Sequence, residues 1–473
     1  MKETISFPLF RFFALCCLVF LAMPADAWWD CTFNKRVALN VKNTSTTSMV
    51  NPQIELVLGG TDGAAVPGYA WSRQDADLRV IDQDDSTILP IWTEPRTSAA
   101  TTTRVWVRLT GTIAAGATRT VYAYYDKSTA TTVSNINAVI TTNAMLYHSR
   151  NSSADPTSLA SWKSAWVLLN DNTAGYACRQ PTTLAGLSNQ NMVSGGSSSD
   201  IIFRLEVFFF VSATQTGTWN FRMAGDFGRG GGLYVDDNSI QENWNVDLWW
   251  GGNWGNTAQI LQGSATLASG WHVLRAWGAE GCCDGPGGFQ VQIPGSSTWV
   301  DANTTNLSVR NGSCNRILVG YGDSEASIDS PIFRMTKTSI AVNDPINGAT
   351  NPVRITGSQV QYSISVAQTS GRTPDANSVI VVDQLPAQTK MCGLAGASTG
   401  VALTQGAIAS NLAIASVAYS NNGGATYTYT KVPDAAGCDA NITNVQVTMA
   451  GTMSCKTASG EPSFKLDLLT IVK

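Results

Sequence analysis

The sequence predicts an all-β protein with three tandem β-sandwich domains after a cleaved signal peptide. Short runs alternate apolar and polar residues, as in Val105-Trp106-Val107-Arg108, and this period of two is typical of half-buried strands. Turn residues such as Gly59-Gly60 and Asp84-Asp85 separate the runs. No amphipathic helix longer than two turns stands out, so the pattern favours β-sandwiches over a helical fold.

The first 27 residues have the pattern of an export signal. Lys2 and Arg11 give a weakly basic start, residues 12–23 are a short apolar run, and Ala25-Asp26-Ala27 is a small-residue cleavage site. The run is shorter than the roughly 20 residues that a membrane span needs, and no later stretch is apolar enough. We therefore expect a mature chain that begins at Trp28, lacks a transmembrane segment and is exported to the periplasm, cell surface or exterior of a bacterium.

The cysteine count supports export. Ten cysteines are present, and removal of Cys16 and Cys17 with the leader leaves an even number, which predicts disulfides in an exported protein. The eight are Cys31, Cys178, Cys282, Cys283, Cys314, Cys392, Cys438 and Cys455.

The sequence alone does not fix the pairing. Cys282 and Cys283 either bridge each other or pin their loop to Cys178 and Cys314, and the second arrangement is favoured. Cys31 and one of the three C-terminal cysteines then pair across domains or stay free.

Composition excludes one class of partner. The formal charge is −4 at pH 7 and 14% of the residues are charged, without a run of Lys or Arg. Because nucleic-acid binding needs a basic patch, we expect no nucleic-acid partner. A chain of 473 residues predicts about two to four domains.

The first segment, residues 28–140, carries four motifs: Asp77-Leu78-Arg79-Val80, Leu89-Pro90-Ile91-Trp92-Thr93-Glu94, Val105-Trp106-Val107 and Tyr122-Ala123-Tyr124-Tyr125-Asp126-Lys127. They closely resemble a bacterial family called domain of unknown function 2341, whose fourth motif ends in Gly-Asn where this chain has Asp126-Lys127. The family has no assigned activity, so the resemblance implies a domain and not a reaction.

The middle segment, residues 143–339, contains Leu233-Tyr234-Val235-Asp236 and, later, Ser269-Gly270-Trp271-His272. These motifs resemble the module first described in anthrax protective antigen, which serves as a sugar-binding domain in some adhesins and glycosidases. Where that family has an Asp-Asp-Gly turn, this chain has Asp226-Phe227-Gly228. The resemblance implies a lectin-like β-sandwich.

A linker rich in Asn, Pro and Gly, residues 342–351, precedes the third segment, residues 350–473. Alternation in residues 360–366 and 464–468 predicts strands. With Val381, Asp383, Leu385 and Pro386, the segment resembles the immunoglobulin-like repeat called domain of unknown function 11. Such repeats usually act as spacers or stalks.

The order of the three segments resembles that of exported proteins encoded with type IV pili, in particular the mannose-sensitive haemagglutinin pilus system. The resemblance implies surface attachment or pilus-associated assembly, with glycans or with pilus and envelope proteins as partners. This is an analogy of fold and order.

Four tryptophans lie within eleven positions: Trp244, Trp249, Trp250 and Trp254, with Asp247 and Asn253 between them. Aromatic faces stack on sugar rings and polar side chains bind hydroxyl groups, which predicts a ligand-binding cluster. The favoured alternative is that the indoles cap the open end of the sandwich core. Because adjacent residues in a strand point to opposite faces, at most one of Trp249 and Trp250 would be core.

Four acidic residues could supply oxygen ligands to Ca²⁺, the one cofactor that the sequence suggests. They are Asp226, Asp236, Asp237 and Asp284. No EF-hand spacing is present, and the favoured alternative is that these aspartates form turns through local backbone hydrogen bonds.

No motif predicts a catalytic residue. The chain has two histidines, His148 and His272, for which a satisfied, half-buried position is favoured, and it lacks a Gly-x-Ser-x-Gly elbow. A glycoside hydrolase needs two facing carboxylates, and nothing in the sequence points to such a pair. We therefore expect a protein that is not an enzyme.

Three functional hypotheses remain. The favoured one is an exported, non-enzymatic surface or pilus-associated protein that acts in adhesion or carbohydrate recognition through its middle domain. The second is a carbohydrate-active enzyme of the glycosidase class, or its accessory module. The third is a purely structural envelope protein without a small ligand.

Overall fold

The prediction of an all-β, multidomain fold is confirmed by the computed structural model. It describes residues 28–58, 76–95, 103–167, 169, 173–310, 314, 316–327, 331–394 and 400–473. Two compact units are present: a central unit, Thr32–Ile328, and a terminal unit formed by Met1–Cys31 together with Asp329–Lys473. The predicted signal peptide lies outside the described residues, and so does the predicted turn at Gly59-Gly60.

Helices are short and few in the described ranges, and none is long and apolar enough to cross a membrane. The α-helices are α1 (Ile136–Val139), α2 (Leu159–Val167) and α3 (Asn189–Met192).

The first sheet of the central unit has the strand order β5-β4-β9-β1-β21-β3-β7-β6. Its strands in chain order, with the short pair β2 and β8, are β1 (Lys35–Lys42), β2 (Met49–Val50), β3 (Gln53–Leu58), β4 (Arg79–Ile81), β5 (Ile88–Leu89), β6 (Ile91–Thr93), β7 (Thr103–Arg108), β8 (Thr112–Ile113), β9 (Thr118–Tyr125) and β21 (Arg316–Ser327). The predicted alternation holds in β7, where Val105 and Val107 enter the core while Trp106 faces the other way into a second cluster.

Strand β21 comes from far along the chain. The sequence placed it in the middle segment, but it pairs antiparallel with β1 and parallel with β3 of the first segment. Hydrophobic patterning predicts a strand but not its neighbours, because pairing depends on register with distant residues. The first sheet therefore needs the chain beyond residue 315 for completion, and the predicted domain boundaries stay predictions.

A sandwich of two further sheets forms the rest of the central unit. The long-strand sheet has the order β11-β10-β12-β17-β14-β15, with β20 also paired to β12, and the outer sheet has the order β16-β13-β18-β19. Their strands are β10 (Leu146–Asn151), β11 (Cys178–Arg179), β12 (Ser199–Val211), β13 (Gly217–Ala224), β14 (Gly230–Val235), β15 (Asn238–Trp244), β16 (Leu261–Leu267), β17 (Gly270–Cys282), β18 (Gly288–Gln292), β19 (Val300–Asp301) and β20 (Val309–Arg310).

Strand β12 is apolar almost throughout because both of its faces are covered. Its odd-numbered residues from 201 to 211 pack in the core of the sandwich. On the opposite face, Ile202 joins an aromatic cluster with Trp277, and Phe208 packs against Trp92 and Trp106 of the first sheet, with ring centroids 4.9 and 5.6 Å apart. The first sheet and the long-strand sheet are thus joined by a buried interface.

A buried ion network crosses the same interface. The Arg275 guanidinium lies 2.5 Å from Glu94, 2.9 Å from Glu206 and 2.9 Å from Asp237. Around these, Glu55 accepts from Arg104 and Arg204 at 2.6 and 3.0 Å, and Arg204 also lies 3.2 Å from Glu206. The named groups comprise four carboxylates and three guanidinium groups. Burial raises the pKa of Glu94 to about 7, although Arg275 opposes the shift.

The terminal unit is a smaller sandwich. Its sheets have the orders β22-β23-β30-β25-β28, with β26 paired to β30, and β24-β29-β27. The strands are β22 (Ile332–Asn343), β23 (Gln359–Ser370), β24 (Ile380–Gln384), β25 (Thr389–Cys392), β26 (Val401–Gln405), β27 (Ala413–Ser420), β28 (Cys438–Asp439), β29 (Asn444–Ala450) and β30 (Ser463–Val472). The predicted alternation on β23 and β30 agrees with a core that includes Ile364, Val366 and Leu466.

Both ends of the chain contribute to the terminal unit. Strand β22, which the sequence split between the middle segment and the linker, pairs along its length with β23. From the other end, the Trp28 backbone N–H donates to Ser370 Oγ at 2.6 Å, and Cys31 is bonded to Cys455. This bond settles which C-terminal cysteine is the partner of Cys31.

The favoured pairing of the middle cysteines is wrong. Cys178 is bonded directly to Cys314, Cys392 to Cys438, and Cys282 and Cys283 have no bond to either member of the first pair. The strand order explains why: β11 with Cys178 and β17 with Cys282 are separated by β10 and β12. Three strand spacings are roughly 14 Å, twice the Cα separation that a disulfide tolerates.

Candidate functional site

The tryptophan cluster lies in the loop between β15 and β16, and the structure divides its members. Trp244 ends β15 and packs against the aromatic cluster that contains Tyr234 and Trp277, with its Nε1 donating to Glu242 at 2.7 Å. Trp249 is 61% exposed. The residue of this loop that enters the sandwich core is Leu248, which sequence reasoning missed. Trp249 therefore does not cap the core as the favoured alternative expects, whereas Trp250 and Trp254 are half-buried.

Trp250 and Trp254 form an aromatic pair that leads onto the outer sheet. Their ring centroids are 4.9 Å apart. The Arg222 guanidinium carbon lies 4.4 Å from the Trp254 ring centroid and 4.2 Å from that of Trp299. One guanidinium group is therefore in cation–π contact with two indoles, an arrangement that favours fixed ring positions. Arg222 and Trp299 were not predicted as site residues.

Alternation along β13 explains how Arg222 reaches this position. Trp219, Phe221 and Met223 point into the core, so Asn220 and Arg222 point away from it. Strand pairing places Gln262 and Gln290 beside Arg222, and Gln292 beside Asn220. A row of polar side chains therefore crosses the outward face of the outer sheet.

Hydrogen bonds orient the side chains of this face. Both Nε and Nη2 of Arg222 donate to Gln290 Oε1, at 2.9 and 2.5 Å, and Gln290 Nε2 donates to Asp301 at 2.8 Å. Asn220 donates to Gln292 at 2.8 Å. The remaining donor and acceptor positions of these groups face outward, where they can bind a polyhydroxylated ligand beside the two indoles. We call this the Arg222 face: Asn220, Arg222, Trp254, Gln290, Gln292 and Trp299.

Phe227 anchors the loops that support the Arg222 face. It is buried in the core, 5.2 Å from Phe203 between ring centroids. Its ring lies against Gly225, Gly231 and Gly278, where an added Cβ would come within 2.8, 2.8 and 2.3 Å of ring atoms. Its carbonyl accepts from the backbone N–H of Leu248 at 3.2 Å. The three glycines therefore leave space for the Phe227 ring, and the backbone of Phe227 is hydrogen-bonded to the tryptophan loop.

The four aspartates of the predicted calcium site are not brought together. Asp226 and Asp236 lie beyond opposite ends of β14, a six-residue strand of roughly 20 Å. In the described part of the chain, no group of three or more His, Cys, Asp or Glu is arranged to hold a metal ion. A calcium site built from all four aspartates is therefore wrong.

Each aspartate instead has a local structural contact. Asp226 accepts from the Gly285 N–H at 2.6 Å, and Asp284 accepts from the Asn189 N–H at 2.6 Å. Asp236 accepts from the Val273 N–H at 2.8 Å, while Asp237 belongs to the ion network. Burial, with the neighbouring charges of Asp226 and Glu280, raises the pKa of Asp284 to about 7.

The histidines occupy strands. His148 is buried in β10, with its ring 4.9 Å from Trp166. Both ring nitrogens of His272 have partners, Asp236 at 2.6 Å and the Ala268 carbonyl at 2.9 Å. Burial disfavours the imidazolium, but the hydrogen bond and charge of Asp236 outweigh it and raise the pKa of His272. Its contacts are those of a satisfied structural residue.

The central unit is expected to lose stability as the pH rises from 5 to 8. Glu94, Asp284 and His272 all have raised pKa values in the folded state. Each of these groups binds its proton more tightly in the folded state than in the unfolded state. The resulting stabilisation is fully present below the pKa of the unfolded state and is lost as the pH rises through the pKa of the folded state. We expect a fall of at least about 2 kcal/mol, since one pKa unit corresponds to about 1.4 kcal/mol and the pKa values of Glu94 and Asp284 are each raised to about 7.

Thermal unfolding at constant ionic strength across this pH range measures the effect. Glu94→Gln removes one titrating group and is expected to flatten the slope, whatever it does to the absolute midpoint. A midpoint that rises with pH in the wild-type chain would contradict the raised pKa values.

Comparison with known proteins identifies part of the chain. Residues 74–165 match the family described as "Domain of unknown function (DUF2341)", which confirms that resemblance for the N-terminal region. The comparison with curated proteins found no match. The resemblances to domain of unknown function 11 and to the pilus system stay predictions.

Three solved structures share a low level of similarity. The PA14 domain of MpAFP antifreeze protein is 11% identical, with 36% of this chain and 93% of that one covered and a TM-score of 0.28. The Epithelial Adhesin 6 A domain from Candida glabrata, in complex with Galb1-3GlcNAc, is 13% identical. The match covers 34% of this chain and 85% of that one, with a TM-score of 0.23. An anti-sigma factor domain-containing protein from Clostridium clariflavum is 9% identical. The match covers 70% of this chain and 92% of that one, with a TM-score of 0.24. These scores do not support the transfer of a ligand or an activity.

Proposed function

We propose that this chain is an exported, non-enzymatic surface protein of a bacterium that recognises carbohydrate through the Arg222 face. The observation that carries the proposal is the contact of Arg222 with both Trp254 and Trp299 on a sheet face lined with amide side chains. Indole faces stack on the apolar faces of sugar rings, and amide and guanidinium groups exchange hydrogen bonds with hydroxyls.

The geometry suits a ligand that lies flat along the sheet. Neighbouring strands present polar side chains about 4.8 Å apart, and two indoles flank the row. The side chains are held in place by hydrogen bonds to one another. Because less side-chain motion is lost when a ligand binds, this order favours affinity. Trp249 lies in the same loop and is 61% exposed.

Export and surface attachment are part of the same proposal. The leader pattern, the even cysteine count of the mature chain and the three disulfides support an oxidising compartment. The resemblance to proteins of the type IV pilus system points to adhesion, with pilus or envelope proteins as assembly partners. In this role the terminal unit serves as a spacer.

A glycan array with the mature chain, residues 28–473, tests the proposal. We use the whole chain because β21 completes the first sheet from beyond the predicted middle domain. We expect binding to one or more glycans, with a loss of at least about tenfold, or 1.4 kcal/mol, in Trp254→Ala and in Trp299→Ala. Trp271→Ala is the matched control, because this half-buried tryptophan packs on Phe210, away from the face.

Each alternative outcome has a meaning. Equal binding by wild type and both face variants would overturn the assignment of the Arg222 face. Hydrolysis of a bound polysaccharide would favour the carbohydrate-active enzyme. An array without any bound glycan, from chains with an unchanged thermal midpoint, would favour the purely structural envelope protein.

A further inference from the structure

Cys282 and Cys283 are adjacent thiols held against each other at the end of a strand. Cys282 is the last residue of β17, and both side chains are exposed. Their sulfur atoms are 2.8 Å apart, closer than two unbonded sulfur atoms rest. Cys283 has a φ of 74°, in the left-handed region that a non-glycine residue rarely adopts. The backbone therefore bends so that the two sulfurs meet.

Hydrogen bonds on both sides of the pair hold this bend. The Cys282 N–H donates to Glu280 Oε1 at 2.8 Å. After the pair, the Asp284 N–H donates to the Ser198 carbonyl at 3.1 Å and the Gly285 N–H donates to Asp226 at 2.6 Å. Strained backbone persists where its surroundings determine it, and two of these contacts, those with Ser198 and Asp226, come from other segments of the chain. The approach of the two thiols is thus a built feature of the fold.

Within the described chain, the other cysteines are unavailable as partners. They form the bonds Cys31–Cys455, Cys178–Cys314 and Cys392–Cys438. The inference rests on the proposed export, because neighbouring thiols oxidise in an oxidising compartment. Two exposed thiols in contact therefore have each other as the nearest partner.

We infer that Cys282 and Cys283 form a disulfide with each other, and that this bond is a reversible redox site on the surface of the central unit. Formation is thiol–disulfide exchange with a disulfide-bearing oxidant, such as an oxidoreductase or a small disulfide. One thiolate attacks the oxidant to give a mixed disulfide, and the second displaces it. The two cysteines lose two protons and two electrons, and the oxidant is reduced to two thiols.

The bond is expected to be the first to open under reduction. Consecutive Cα atoms are about 3.8 Å apart, less than the usual Cα separation across a disulfide, and such strain makes the bond more reducible. Exposed, strained disulfides are the labile ones. Cys392 and Cys438 are 3% and 1% exposed, so their bond provides a shielded internal reference.

Opening of the bond has a defined structural consequence. The loop continues through Asp284, which binds the Asn189 N–H, to Gly288, on which the Trp254 ring rests. Because the disulfide no longer restrains the left-handed Cys283, we expect faster amide exchange in residues 282–288 after reduction. This expectation does not depend on any ligand of the Arg222 face.

Mass spectrometry of the mature chain, exported to an oxidising compartment and alkylated without reductant, tests the inference. We expect the peptide that contains both cysteines to be unalkylated and lighter by two hydrogens than the dithiol. Cys282→Ser and Cys283→Ser should each gain one alkylated thiol. In redox buffers of graded strength, the pair should open before Cys392–Cys438, with faster exchange in residues 282–288.

Three results would overturn the inference. Alkylation of both cysteines in the native chain would show free thiols, and a peptide crosslinked to a second molecule would show an intermolecular bond. Opening of Cys392–Cys438 first or together with the pair would show that the site is not labile. Because the main measurement is made on the wild-type chain, a variant that fails to fold does not affect it.

Discussion

Replacement of Arg275 by leucine is expected to lower the free energy of unfolding of the central unit by about 3–5 kcal/mol. Arg275 is 1% exposed and binds Glu94, Glu206 and Asp237. Its removal leaves the first two carboxylates buried without their main cation, and uncompensated buried charge is strongly destabilising. Amide exchange in β12 and β17 is the best measurement, because one global transition is not assured for a chain with two units.

Two further variants test the cause of that loss. Arg179→Leu is the control, because this exposed arginine lies in the edge strand β11 and its side chain donates to the Cys178 carbonyl; a change within about 0.5 kcal/mol is expected. In the Arg275→Leu background, Glu206→Leu removes one stranded charge and should restore part of the loss. Equal stability of Arg275→Leu and wild type would show that the network does not form.

The network also marks the limit of prediction from sequence. The run from Ile201 to Val211 is strongly apolar in the sequence, and in the structure it lies within the single strand β12. In the sequence, Arg204 and Glu206 are simply the two charged residues within this apolar run. Glu55, the partner of Arg204, lies 149 residues away in the chain, and Glu94 of the first segment shares the Arg275 guanidinium with Glu206. Only the packing of two sheets brings these groups together. Periodicity predicts which face of a strand is buried, but not what covers it.

The candidate site shows the same limit. Trp250 and Trp254 were predicted because they are close together in the chain, whereas Arg222 lies in β13 and Trp299 directly before β19. Alternation around Phe221 and Val291 could have shown that Arg222, Gln290 and Gln292 share an outward face, since polar residues there alternate with core residues. The register that sets them side by side is a tertiary property, and so is the failure of the four aspartates to meet.

Replacement of Phe227 by alanine is expected to destabilise the central unit by about 3–5 kcal/mol, the usual range for a buried phenylalanine. The ring fills the space over Gly225, Gly231 and Gly278 and contacts Phe203. The variant is also expected to weaken glycan binding, because the buried ring fixes the backbone at residue 227, whose carbonyl accepts from the Leu248 N–H of the tryptophan loop. Phe210→Ala is the matched control: Phe210 is 38% exposed, and a loss of about 1 kcal/mol or less is expected.

A double-mutant cycle separates the role of the ring from a general loss of packing. In the wild-type chain, a Cβ on Gly278 would lie 2.3 Å from the Phe227 ring, so Gly278→Ala is expected to cost about 1–3 kcal/mol through overpacking. Gly278 lies in β17 opposite Phe203 and Gly231, and it does not have a positive φ. Alanine is therefore compatible with its backbone.

In the Phe227→Ala background, the same substitution is expected to be neutral or slightly stabilising, because its methyl group enters the space that the ring has left. The coupling energy between the two positions, from amide exchange in β14 and β17 of the four proteins, should be about 1–3 kcal/mol. Additive losses would show that Phe227 does not rest on Gly278. A large coupling would instead explain why Gly225, Gly231 and Gly278, which are far apart in the sequence, surround the Phe227 ring. These glycines leave room for the buried ring that supports the tryptophan loop.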